Sequence, residues 1–69
     1  MNHPIAQFLL GRMFEGGRGT AVNLTFAFVN YCRAAAQGVA AAAERRDAVR
    51  SRLTLTEIQS AEQLLRGKK

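Results

Sequence analysis

The chain has 69 residues, a net charge of +5, 48% apolar residues of which twelve are alanine, and a single cysteine. That length holds one domain with a marginal core, because so short a chain buries only about 60% of the surface it exposes when unfolded. No apolar run approaches the roughly 20 residues of a membrane span, one cysteine excludes an intrachain disulfide framework, and "MNHPIAQFLL" offers neither a basic n-region nor a cleavage site, so no secretion signal is expected.

Pro4 suits the first turn of a helix, where a missing N–H costs nothing. From Ile5 to Phe14 the residues are apolar at nearly every angle. Ile5, Ala6, Leu9, Leu10 and Met13 make one broad stripe at 3.6-residue spacing, and Phe8 falls outside it. A helix apolar all round is expected to be covered on more than one side. Gly16 or Gly17 can end it in the left-handed conformation that glycine takes cheaply.

Asn23 is an N-cap for a second helix, Leu24 to Gln37, with Gly38 as terminator. A third helix is expected from Ala40 to Ser51. In "LTLTEI", Thr54 and Glu57 form a capping box, and Leu53 and Ile58 are placed for a hydrophobic staple. A fourth helix then runs from Leu55 to Arg66, followed by a frayed tail at 67–69. No segment alternates apolar and polar residues like a strand. The pattern predicts an all-α domain spanning 1–69, with four helices in two antiparallel helix-turn-helix hairpins.

Three of the six glycines fall within four residues, in "LLGRMFEGGRGT". A phosphate-binding loop does not fit, because that motif is entered from a strand and continues into lysine and serine or threonine. A tight turn between helices does fit. "Ala6-Gln7-Phe8-Leu9-Leu10-Gly11-Arg12-Met13-Phe14" and "Gly17-Arg18-Gly19", followed by Ala27, Tyr31, Ala34, Ala35, Gln37 and Gly38, resemble a Sel-one-like repeat, a relative of the tetratricopeptide repeat. The resemblance covers residues 4–38. Residues 39–66, from Ala43 through Ala48, Leu53, Thr54 and Ala61, resemble the divergent helix pair that closes such arrays. What the resemblance implies is a miniature α-solenoid that presents helix faces to other proteins, in a scaffold or adaptor role. In this arrangement Gly11 permits close helix approach, Gly17 and Gly19 make the turn, and Ala27, Ala34 and Ala35 receive Phe8, Leu10 and Phe14.

On the second helix, Leu24, Ala27, Phe28, Tyr31, Ala34 and Ala35 share the core face. Val22, Phe26 and Val29 lie on the opposite side, and Arg33 extends their line. The family usually has polar residues there, and an aromatic at the position of Asn30. Two outcomes follow. Either the stripe is a contact face for a second copy or a protein target, or the third and fourth helices fold back and cover it. Repeats of this kind normally need about three copies to bury their faces, which favours a homodimer. A fragment closing a longer array is a third reading, and predicts a chain poorly folded alone.

Arg45, Arg46, Arg50 and Arg52 are the densest basic group. On a helical wheel Arg45 and Arg52 fall on one side of the Val49–Leu53 line, with Arg46 and Arg50 on the other. Solvated stems flanking an apolar stripe explain them, and the alternative function is a basic regulator that binds nucleic acid through these four arginines. Cys32 is expected as a small buried hydrophobe. His3 is the only histidine, so neither a zinc site nor a catalytic triad can be assembled. Glu57 and Glu62 are accounted for by capping and a solvated face. The sequence therefore predicts no enzyme and no cofactor or metal, but a small cytoplasmic protein-binding adaptor or modulator, homodimeric through Val22, Phe26, Val29 and Arg33.

Overall fold

Pro4 occupies the first turn of α1 (Pro4–Gly16), and Gly17, with φ 69° and ψ 30°, ends it while its N–H donates to the Met13 carbonyl. The computed structural model describes residues 3–67; the two lysines of the expected tail lie outside that range. α2 spans Leu24–Ala36, and the Asn23 side chain accepts the Phe26 N–H at its start. α3 spans Ala40–Arg50 and α4 spans Leu55–Arg66. Thr54 and Glu57 form the reciprocal capping box at the head of α4. The fold is all-α, with no strand among the described residues.

α2 is the hub. The close helix–helix contacts join it to α1, α3 and α4 in turn. Along the α1–α2 seam, Gln7 meets Gln37, Phe8 meets Tyr31 at 5.8 Å between ring centroids, and Phe14 meets Phe26 edge-on at 5.4 Å. The pairs run in opposite order along the two helices. Gly11 makes this seam possible: a Cβ there would lie 2.6 Å from the Tyr31 ring, well inside van der Waals contact. α3 and α4 each pack on α2 and make few close contacts with one another.

The core is Ala27, Phe28, Val29, Tyr31, Ala34, Ala42, Val49 and Ala61. Five of these eight come from α2, and Tyr31 and Val49 are its largest fully buried side chains. Phe8, Phe14, Leu24, Cys32, Ala35, Val39, Leu53 and Leu65 pack around them, half-buried. Small alanines let the helices close, but they contribute little apolar area each. The interior is therefore thin, and most of the chain's large aliphatic groups are left at its rim.

Two expectations need correction. Leu10 does not pack between the alanines of α2; it is exposed. The outer face of α1 is likewise uncovered, although an all-round apolar helix was expected to have cover on more than one side. The reason is topological: α3 and α4 both pack on α2, so neither crosses the far side of α1.

Candidate functional site

α1 turns Gly11 toward Tyr31 and, with it, Phe8 and Phe14 toward α2. At about 100° per residue, Leu9 and Met13 lie nearly opposite, flanked by Ile5, Ala6 and Leu10. The four large ones are 61%, 50%, 42% and 38% exposed. No charged residue interrupts this stripe; Arg12 stands at its edge. The glycine turn brings Val22 back over the end of α1, where its Cγ2 would lie 2.9 Å from a Cβ at Gly17. Val22 is 57% exposed and Phe26 43%.

The expected stripe on α2 divides. Val22 and Phe26 face outward, but Val29 is 3% exposed and belongs to the core. The expected cover by a later helix is met at Val29, beside which α4 packs, and not at Val22 and Phe26. Val29 shares a shallow groove with Phe14, Phe26, Asn30, Arg33 and Leu64. The Arg33 guanidinium donates to the Leu64 carbonyl at 3.3 Å, the last turn of α4, where a cation complements the helix dipole. Arg33 therefore links α2 to α4 at the border of the exposed surface. Asn30 donates its side-chain amide to the Phe26 carbonyl one turn earlier, which satisfies it without an external partner.

The basic residues sort into two groups on either side of α3. Arg45 donates to Glu15 at 2.5 Å, and Arg52 approaches the same carboxylate at 3.8 Å. Arg46 instead pairs with Asp47 at 3.0 Å, and Arg46 and Arg50 both act electrostatically on Cys32. Arg45 and Arg52 therefore share Glu15, while Arg46 is paired elsewhere. The cysteine thiol is pushed up from its ordinary value by burial, against the pull of those two cations, which makes it a poor nucleophile at neutral pH.

Glu15 was not foreseen as a structural centre. It accepts the Tyr31 hydroxyl at 2.7 Å and the Arg45 guanidinium, and its side chain is mostly buried. The Arg45 hydrogen bond, more than any other influence, holds its carboxyl below the usual range, with burial opposing. Tyr31 is pushed up to about 12, first by burial and then by the bond to Glu15. Its signal in the sequence is isolation: Glu15 is the sole acid before Glu44, flanked by Arg12 and Arg18. A lone carboxylate inside a basic, apolar half-chain is a candidate anchor.

Around Glu15 lies an open cleft of about 320 Å³ lined by Arg12, Glu15, Gly16, Arg18, Arg45 and Arg52. Among the described residues no group of histidine, cysteine or acidic side chains is arranged to hold a metal ion, and no helix is long and apolar enough to cross a membrane. Searches against protein-family models, curated proteins and solved structures each return no match for this chain.

Proposed function

We propose that the chain is a small protein-binding helical module, an adaptor or modulator, that docks through exposed apolar helix surface and self-associates as a homodimer. The observation that carries this reading is the outer face of α1. Ile5, Leu9, Leu10 and Met13 stand exposed on one uncharged stripe while the core beneath is built largely of alanine. Contiguous apolar surface of this kind marks an interaction site on a soluble domain. Its likeness to a Sel-one-like repeat points the same way, since such repeats bury their faces only against neighbours.

The stripe on α1 is insufficient alone. A standard interface removes about 800 Å² from each partner. Half-exposed aliphatic side chains supply on the order of 100 Å² each, because even whole aromatic side chains bury only about 150–250 Å². Val22 and Phe26, at the turn end of the same helix pair, are therefore assigned to the same contact. The occupant is a second copy, because a twofold pairing of α1 with itself matches apolar stripe to apolar stripe and keeps Arg12 at the edge. The basic-regulator alternative is less well supported, since Arg46 and Arg50 lie away from Arg45 and Arg52.

Sedimentation equilibrium of the purified chain tests the proposal. Wild type is expected to show concentration-dependent dimerisation, and Leu9→Asp is expected to abolish it with helix content retained. A monomeric wild type at all concentrations, or a Leu9→Asp variant that dimerises as before, overturns it.

A further inference from the structure

A different surface gathers positive charge. Arg12 projects from α1, Arg18 from the glycine turn, Arg45 from α3 and Arg52 from the turn before α4, and all four line the one cleft over Glu15. We propose that this cleft is a binding site for a compact, multiply charged phosphate, the chemistry of pyrophosphate or of a nucleotide's phosphate chain.

The charge balance supports the assignment. Four guanidinium groups and one carboxylate leave the cleft with an excess of three positive charges, and no other acid lines it. Arg45 is committed to Glu15, and Arg52 is only loosely so at 3.8 Å. Arg12 and Arg18 have no acidic partner among the described residues. Like charges gathered in one concavity repel one another, so an anion placed between them stabilises the fold as well as binding to it.

The charge and size of the cleft favour a compact polyanion over a polymer. Guanidinium forks present paired N–H donors that match phosphate oxygens, and a pyrophosphate has enough acceptor oxygens to engage several forks together. The cleft, at about 320 Å³, sits at the small end of ligand sites. Among the described residues, Arg46 of α3 pairs with Asp47 and neither it nor Arg50 lines the cleft, so the basic group of α3 does not continue it as a track for a nucleic-acid backbone. Glu15 contributes by fixing Arg45: held from below by Tyr31 at 2.7 Å, it orients one fork while cancelling only one charge.

The test is isothermal titration of the intact chain with pyrophosphate at constant ionic strength, with citrate as a carboxylate control and a single-stranded oligonucleotide as a polymer control. Saturable binding of pyrophosphate is expected, with citrate and the oligonucleotide weaker. Arg12→Ala/Arg18→Ala, in which both replaced side chains are exposed, is expected to weaken pyrophosphate binding roughly tenfold or more. Arg46→Ala/Arg50→Ala, with the same change of net charge, is expected to leave it within about twofold. Circular dichroism confirms that each variant is folded. The proposal is overturned by absence of saturable pyrophosphate binding at millimolar concentration, by equal binding of citrate or tighter binding of the oligonucleotide, or by equal losses in the two double variants.

Discussion

The Tyr31 hydroxyl donates to Glu15 at 2.7 Å, and this single contact joins the middle of α2 to the end of α1 beneath the Arg45 guanidinium. It satisfies the one polar atom of the largest fully buried side chain in the molecule. Removing it leaves a mostly buried carboxylate with one partner fewer. Tyr31→Phe is therefore expected to destabilise the chain by about 1.5–3 kcal/mol, the range for hydrogen bonds to charged groups, measured by urea unfolding at fixed protein concentration and neutral pH.

The same pair contributes to the pH dependence of stability at both ends. Burial and the bond to Glu15 push Tyr31 from its ordinary 10.0 up to about 12. A raised phenol favours the neutral form, so its contribution is intact below pH 10 and lost as pH rises from 10 towards 12. At about 1.36 kcal/mol per pKa unit, that loss reaches about 3 kcal/mol. Glu15 behaves oppositely. Its carboxyl lies below the ordinary 4.5, so its contribution is present above that value and lost as pH falls through the lowered one. Unfolding curves of wild type and Tyr31→Phe from pH 8 to 12 are expected to converge above pH 10. Parallel curves would falsify the assignment of the alkaline limb to Tyr31.

Gly11 and Tyr31 form the second relationship on which the helix pair depends. Alanine favours helix over glycine by about 1 kcal/mol, so Gly11→Ala stabilises an isolated α1. In the fold the new methyl would sit 2.6 and 2.7 Å from two ring carbons of Tyr31, and that ring is fixed by its bond to Glu15. Overpacking of this sort costs about 1–3 kcal/mol. The balance is a net loss of up to about 2 kcal/mol, visible as a lower Tm. A raised Tm would mean that the helices separate without cost.

Much of this was legible in the chain itself. Thr54 and Glu57 name the start of α4 because capping is decided within four residues, and the glycine pair Gly16–Gly17 marks the end of α1 for the same reason, with Gly17 taking the left-handed position. Gly11 and the alanines of α2 reveal a close seam because the side chains they lack must be matched by bulk opposite. The sequence left Val29 open between exposure and cover because a helical wheel gives angle but not cover: it stands opposite the α1-facing side, and α4 packs beside it. The exposed face of α1 was missed for the converse reason, since periodicity predicts a wish for burial and topology decides whether it is met. Glu15 escaped notice because its partners, Tyr31, Arg45 and Arg52, are 16, 30 and 37 residues away in sequence, and local spacing carries no trace of such pairs.

Capping offers a local check on the second half of the molecule. The Glu57 N–H donates to the Thr54 hydroxyl at 3.1 Å, and the Glu57 carboxylate accepts the Thr54 N–H at 2.9 Å. Thr54→Ala removes one of these bonds and is expected to cost about 1 kcal/mol. Because α4 is held chiefly by α2, amide exchange should accelerate most in α4, and less in the α1–α2 seam. Uniform acceleration over all four helices would show instead that the domain opens only as a unit.

Val22, in the turn before α2, and Phe26 and Val29, on α2, occupy three environments, at 57%, 43% and 3% exposure. Aspartate at each position separates folding from association. At Val29 it places an unpaired charge in the core beside α4, and the chain is expected to lose several kcal/mol and unfold. At Val22 the carboxylate stays in water, so stability should change by less than about 0.5 kcal/mol while the dimer weakens. Phe26 is intermediate, since its ring packs edge-on against Phe14: loss of that aromatic contact costs about 0.5–1.5 kcal/mol beyond its buried area, and the dimer should weaken as well. Thermal unfolding and sedimentation on the same three variants read the two effects independently. A folded Val29→Asp would remove α4 from its position over α2, and a Val22→Asp that dimerises like wild type would remove the turn from the interface.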